Sequence, residues 1–268
     1  MREQDNEFYI GWSAEIPQGF ARQVRRYLLA LAVLVPAVVA LMVLAQRGFS
    51  NGRFEYGRQT TLRGVLSTAP APFLTIDAGK NAFGQPVAQK ILLVAPGKFG
   101  FRADRQQVAD GQAVQATGFL IYHDGKTAME VEQIRPYSAF RIPHSAFRIP
   151  HSAFGTVTLR GELTDPKCLL GVMKPGEGKP HRDCAVRCIA GGIPPVLKVA
   201  NAGGETEYYL LAGPNGERLN DRLLDYVGDG IQLCGRLEQQ DDWMVLYANP
   251  NTLQRVNKWS LNPGTMCH

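Results

Sequence analysis

The sequence lacks any concentrated block of charge: a net charge of +5 and a pI near 9.0 are spread over 268 residues with no long Lys/Arg run. So mild a basic balance does not by itself point to nucleic acid, and arginines beside the apolar N-terminal run account for part of it. Also absent are G-x-S-x-G, H-E-x-x-H, G-x-x-x-x-G-K-[ST] and C-x-x-C-H. Their absence argues against a self-contained hydrolase, NTPase or cytochrome. No C-x-x-C pair is present either, so a thioredoxin-type redox centre is disfavoured. Five cysteines are too few for a disulfide-dense scaffold and too many to ignore. Apolar residues, by contrast, are not scarce. A 45% hydrophobic share against 20% charged residues excludes wholesale disorder.

What is there begins with residues 27–46, YLLALAVLVPAVVALMVLAQ, twenty uncharged positions of which eleven are Leu or Val. At 1.5 Å rise per residue such a helix spans about 30 Å, the thickness of a bilayer's hydrocarbon core. Pro36 is tolerated in a membrane helix better than in a soluble one. Arg22, Arg25 and Arg26 on one flank face Arg47 and Arg53 on the other, which favours a cytoplasmic N-terminus and an exported remainder. A cleavable signal peptide is the rival, because Val43-Leu44-Ala45 resembles a cleavage site. Against it, the apolar run exceeds a signal's usual core, and the preceding segment carries Glu3, Asp5, Glu7 and Glu15. The expectation is a single-pass protein of the bacterial inner membrane with its C-terminal domains in the periplasm.

Downstream, landmarks recur. Thr61-Leu62-Arg63-Gly64-Val65-Leu66 returns as Thr158-Leu159-Arg160-Gly161-Glu162-Leu163. Gly111-x-x-Val114-x-x-x-Gly118 returns as Gly228-x-x-Ile231-x-x-x-Gly235, with buried-strand patterns at residues 91–97 and 208–214 between the landmarks. Short strands with glycines placed for curvature suit a small barrel, and five of them suit an OB-like one. The expected fold class is therefore mainly β: an N-terminal transmembrane helix followed by two small OB-like β-barrel domains in tandem. The expected boundaries are a cytoplasmic segment 1–26, the helix 27–46, a first domain 54–136, a linker 137–154, a second domain 155–256 and a tail 257–268. The linker contains Ser138-Ala139-Phe140-Arg141-Ile142-Pro143-His144 repeated at once as residues 145–151, which reads as an expansion tolerated in a connecting segment.

The second half alone carries an insertion, from Asp165 to Pro195, with Cys168, His181, Cys184 and Cys188. If residues 181–189 are helical, His181, Cys184 and Cys188 fall at i, i+3 and i+7 on one face, and Cys168 can fold over them. The pattern Asp165…Cys168-x-x-Gly171 followed by His181-x-x-Cys184-Ala185-x-x-Cys188-x-x-Gly191-Gly192-Ile193-Pro194-Pro195 resembles uncharacterised bacterial membrane-anchored exported OB-like domain proteins. The resemblance covers roughly residues 155–250 and implies a location and a fold, not an activity.

Three readings of the cluster stand open. Cys168 pairs with Cys184 or Cys188 as a structural disulfide, worth roughly 3 kcal/mol for a loop of this size. Alternatively Cys168, His181, Cys184 and Cys188 bind copper or zinc. In the third, Cys184 or Cys188 is a redox thiol lowered in pKa by His181, Arg182 or Arg187. Cys234 reads as an ordinary buried thiol, Cys267-His268 as a frayed end, and Met173, Lys174, Lys179 and Arg182 as solvated loop positions. Tyr208, Tyr209, Trp243 and Tyr247 fall where OB barrels stack bases, but outside the cytoplasm nucleic acid is scarce. The expected partners are the inner membrane and another membrane or exported protein, with no nucleic acid. The expected role is a non-enzymatic accessory to a membrane redox system. A thiol oxidoreductase and a structural subunit of a membrane complex are the alternatives.

Overall fold

The structure is a computed structural model that describes residues 17–45, 52–82, 84, 86–138, 152–200 and 205–256. The first N-terminal residues, most of the seven-residue repeat, and the tail with Cys267 and His268 lie outside the described residues. Two units separate, residues 1–49 and 50–268. The first contains helix α1 (Gln18–Ala45), which begins ahead of the apolar run and buries none of its side chains. It is long enough and apolar enough to cross a membrane.

The second unit is all β but for short helical pieces. Strands β1 (Arg53–Phe54), β2 (Thr60–Ser67), β3 (Phe73–Lys80), β4 (Pro86–Val94), β5 (Ala113–His123) and β6 (Lys126–Pro136) build the first barrel. Strand β2 pairs with β3, β3 with β4, β4 with β6 in parallel, β6 with β5, and β5 with β2, so five strands close and β1 extends β5. The second barrel uses β7 (Ser152–Thr164), β8 (Val196–Ala200), β9 (Thr206–Ala212), β10 (Gly230–Gln240) and β11 (Trp243–Arg255), closed in the same order with β9–β11 as its parallel pair. Each half is thus a five-stranded OB-like barrel.

Sequence explains the closure. In β5 and β10 inward side chains alternate with outward ones, burying Val114 and Ala116 in one barrel and Ile231 and Leu233 in the other. Small barrels also need strands to approach closely where they bend. A Cβ on Gly118 would strike the carbonyl of Glu130, and one on Gly235 that of Tyr247. The hairpin from β5 to β6 turns on Asp124 and Gly125, both at positive φ, the conformation a tight two-residue turn demands.

Three apolar clusters result: one inside each barrel and a third between them. The third joins Phe73, Leu92, Val94 and Ile121 of the first barrel to Leu169, Val196, Leu210 and Trp243 of the second. Phe73 and Trp243 meet at 5.8 Å between ring centroids, and Trp243 Nε1 donates to the Lys90 carbonyl at 3.0 Å. Of the aromatics read from sequence as possible stacking positions, Tyr208, Trp243 and Tyr247 are placed here, and Tyr209 packs on the second barrel's core. Trp243 and Tyr208 are buried, and the Tyr208 hydroxyl donates to Asp124 of the first barrel at 2.9 Å.

Candidate metal centre

The second barrel's insertion leaves β7 at Asp165, forms a single π-helical turn (Cys168–Val172), then a loop, a 3-10 turn (Lys179–His181) and helix α2 (Arg182–Ala190) before β8. Helix α2 holds Cys184 and Cys188 one turn apart, facing the π-helical turn. His181 sits at its N-cap rather than inside it. Asp165, fully buried, organises both halves of the insertion. One carboxylate oxygen accepts the Cys168 backbone N–H at 3.0 Å, and the other lies 2.9 Å from His181 Nε2.

The ligand atoms of Cys168, Cys184 and Cys188 all lie within 4.8 Å of one another. The Cys168 and Cys184 sulfurs are 3.8 Å apart and all three thiols are free. Cys168 and Cys188 are buried while Cys184 is half-buried, so the cluster has an inner and an outer side. His181 belongs to a second, overlapping group with Asp165 and Cys168. The four residues expected from sequence to share one ion thus fall in two groups that meet at Cys168, with the three sulfurs together and the imidazole beside a carboxylate. His181 is 1% exposed and its Nδ1 has no hydrogen-bond partner.

The electrostatics follow from these contacts. A hydrogen bond with Cys188, burial and the Asp165 carboxylate together push the Cys168 thiol well above its ordinary pKa. Cys188 moves the other way, because the same hydrogen bond stabilises its thiolate. The hydrogen bond between the two thiols is the largest cause of both shifts and drives them in opposite directions.

Lys98 escaped sequence reading because it comes from the other barrel, and Met173, read from sequence as a solvated loop position, lies against the sulfurs. Lys98, on the first barrel's turn after β4, reaches across to place Nζ 2.6 Å from Cys184 Sγ. That hydrogen bond, opposed in part by burial, raises the Lys98 pKa, so the ammonium is retained beside the sulfurs. Met173, at the start of the loop after the π-helical turn, sets its Sδ 3.2 Å from Cys184 Sγ and is 42% exposed. The Lys98 turn is itself clamped. Buried Lys167 donates to the carbonyls of Ala95 (2.9 Å) and Gly97 (2.6 Å) and pairs with Glu130, while Gly100 N–H donates to the Gly191 carbonyl at 3.0 Å. A Cβ on Gly100 would strike the Gly192 carbonyl, so this seam requires glycine. Lys174, Lys179 and Arg182 stay outside the cluster, as solvated loop positions should. Cys234, read from sequence as an ordinary buried thiol, is instead disulfide-bonded.

No family model matches the chain, and no curated protein matches it. Among solved structures it is similar to a deletion mutant of the single-stranded DNA binding protein from Thermus aquaticus, at 19% identity over 77% of this chain and 96% of that one, with a TM-score of 0.22. The expectation that set nucleic acid aside as a partner is corrected on this finding, because the matched protein is by title a single-stranded DNA binding protein.

Proposed function

We propose that this is a membrane-tethered extracytoplasmic accessory protein that binds a copper or zinc ion on Cys168, Cys184 and Cys188 in the service of a membrane redox system. The observation that carries the proposal is the convergence of three free thiols at the seam of two barrels, with an ammonium beside them. Three thiolates in a pocket of this size match the donor set of soft and borderline metals. A structural staple would instead join two of the sulfurs at about 2.05 Å and leave no reason for the third. Asp165 supports metal binding by fixing both the Cys168 turn and the imidazole, the arrangement that holds first ligands in place at metal sites. Helix α1 and its flanking arginines support tethering with the barrels outside the cytoplasm.

The test uses the full chain purified in mild detergent without chelator. Metal is quantified by mass spectrometry, and free thiols are counted in the same sample. Close to one equivalent of copper or zinc with the three thiols unoxidised is expected. No metal, with two of these thiols consumed as a disulfide, overturns the proposal and leaves the cluster a staple. Thiol oxidoreduction is favoured by one specific observation, the lowered pKa of Cys188 against the 3.8 Å approach of Cys168 to Cys184. A measured potential close to that of the glutathione pool, together with turnover of a small disulfide, would establish it in place of metal binding.

A further inference from the structure

We infer that the site is built for a monovalent soft ion, Cu(I), and that Met173 supplies a thioether ligand on its solvent side. This inference rests on the metal-binding proposal above and narrows it. The donors on the page are sulfur: three thiols, and a thioether 3.2 Å from Cys184 Sγ. The one imidazole nearby, His181, is held by Asp165 through Nε2 and is grouped with Asp165 and Cys168, not with Cys184 and Cys188. Thiolates alone serve zinc as well as Cu(I), but zinc's ordinary ligands are thiolate, imidazole and carboxylate, so a thioether in the set favours the softer Cu(I).

Charge points the same way. Lys98 holds a positive group 2.6 Å from Cys184, inside the space where an ion's field is felt. That fixed charge repels a dication more than a monocation, since Coulomb repulsion scales with the ion's charge. It also offsets the surplus negative charge that three thiolates keep after taking up a single positive one. Burial then assigns an inside and an outside. Cys168 and Cys188 form the closed floor, Cys184 is half-buried, and Met173 stands 42% exposed at the mouth. A weakly held thioether at the opening is the ligand an incoming donor from another protein would displace first, which suits an ion that is passed on rather than retained.

The test keeps the full chain in detergent under anaerobic conditions, titrated with Cu(I) against a chromogenic Cu(I) chelator and separately with Zn(II) against a fluorescent zinc chelator. Wild type is expected to take up one Cu(I). Met173→Leu, which keeps the side chain's bulk at an exposed position, is expected to weaken Cu(I) by at least about tenfold while leaving Zn(II) unchanged. Lys98→Gln is expected to improve Zn(II) relative to Cu(I). Unchanged Cu(I) affinity in Met173→Leu, or equal losses for both metals, overturns the thioether assignment while metal binding itself stands. If wild type binds neither metal with its thiols reduced, the broader proposal falls as well. Far-UV circular dichroism of each variant separates ligand loss from misfolding.

Discussion

The two barrels share one strand order and differ in what fills the connection between their first two long strands. In the first barrel residues 68–72 make that link as a short turn, with Thr68 N–H and hydroxyl held by Asp110 at 2.7 and 2.9 Å. In the second, residues 165–195 take the same place and add a π-helical turn, a loop and helix α2. The first barrel answers by offering its β4–β5 side, where Lys98 and Gly100 meet α2. One barrel thus bears the sulfurs and the other completes their surroundings. Repetition of a fold does not repeat a site, because the barrel's core tolerates any insertion in a connection while the chemistry depends on what is inserted.

The start of the last strand sharpens the contrast. Strand β6 opens at Lys126 and β11 at Trp243, whose ring packs on Phe73 of the other barrel. Trp243→Ala should remove about 3–5 kcal/mol of stability by emptying the cluster between the barrels, read as a fall in the urea midpoint. A loss below 1 kcal/mol would show that the two barrels fold independently. Lys167→Met should lose a similar or slightly smaller amount, about 3 kcal/mol, since it strands Glu130 without its buried partner. Adding Glu130→Leu should recover most of the loss. If the double variant is no better than the single, the clamp on the Lys98 turn matters more than the ion pair.

A third test uses pH. Burial, with repulsion from Asp242, pushes the Asp241 carboxyl up to about 6 against the attraction of Lys90. A carboxyl whose folded pKa is raised binds its proton more tightly in the native state, so stability falls as pH rises from about 4 to 6 and then levels. Asp241→Asn should remove that fall, gaining about 1–2 kcal/mol at pH 8 after discounting for partial exposure, and nothing below pH 4. Asn also accepts the left-handed backbone found there, at φ +56°. The corresponding turn of the first barrel reads Asp124-Gly125, with one carboxylate where the second barrel has two. The smallest effect is expected from deleting one copy of the seven-residue repeat, which shortens the link between the barrels and should shift stability by less than about 0.6 kcal/mol.

Local patterns were enough for much of this protein. Twenty uncharged residues at 27–46 announce a helix able to cross a membrane. The recurring Thr-Leu-Arg-Gly motif and the paired Gly-x-x-Val/Ile-x-x-x-Gly spacings announce two barrels with like strands, because alternation and close-approach glycines are written within each strand. Cys184 and Cys188 announce a shared helix face by their spacing alone. Tertiary structure decided the rest. Lys98 stands 86 positions from Cys184, and Lys167 stands 72 and 70 positions from the carbonyls it clamps, so no window of sequence contains either relation. His181 looked like a ligand by its spacing, and the Asp165 carboxylate that holds its ring through Nε2 is a contact made by burial and hydrogen-bond geometry rather than by residue type. Trp243 and Tyr208 fall on strands where aromatics are usually core, and which core they join, the packing between the barrels, was settled by tertiary structure. Sequence by itself determined the elements and their inward faces, since these depend on neighbours along the chain. Which barrel surfaces meet, and therefore which side chains surround the sulfurs, was settled only when long-range packing closed the seam.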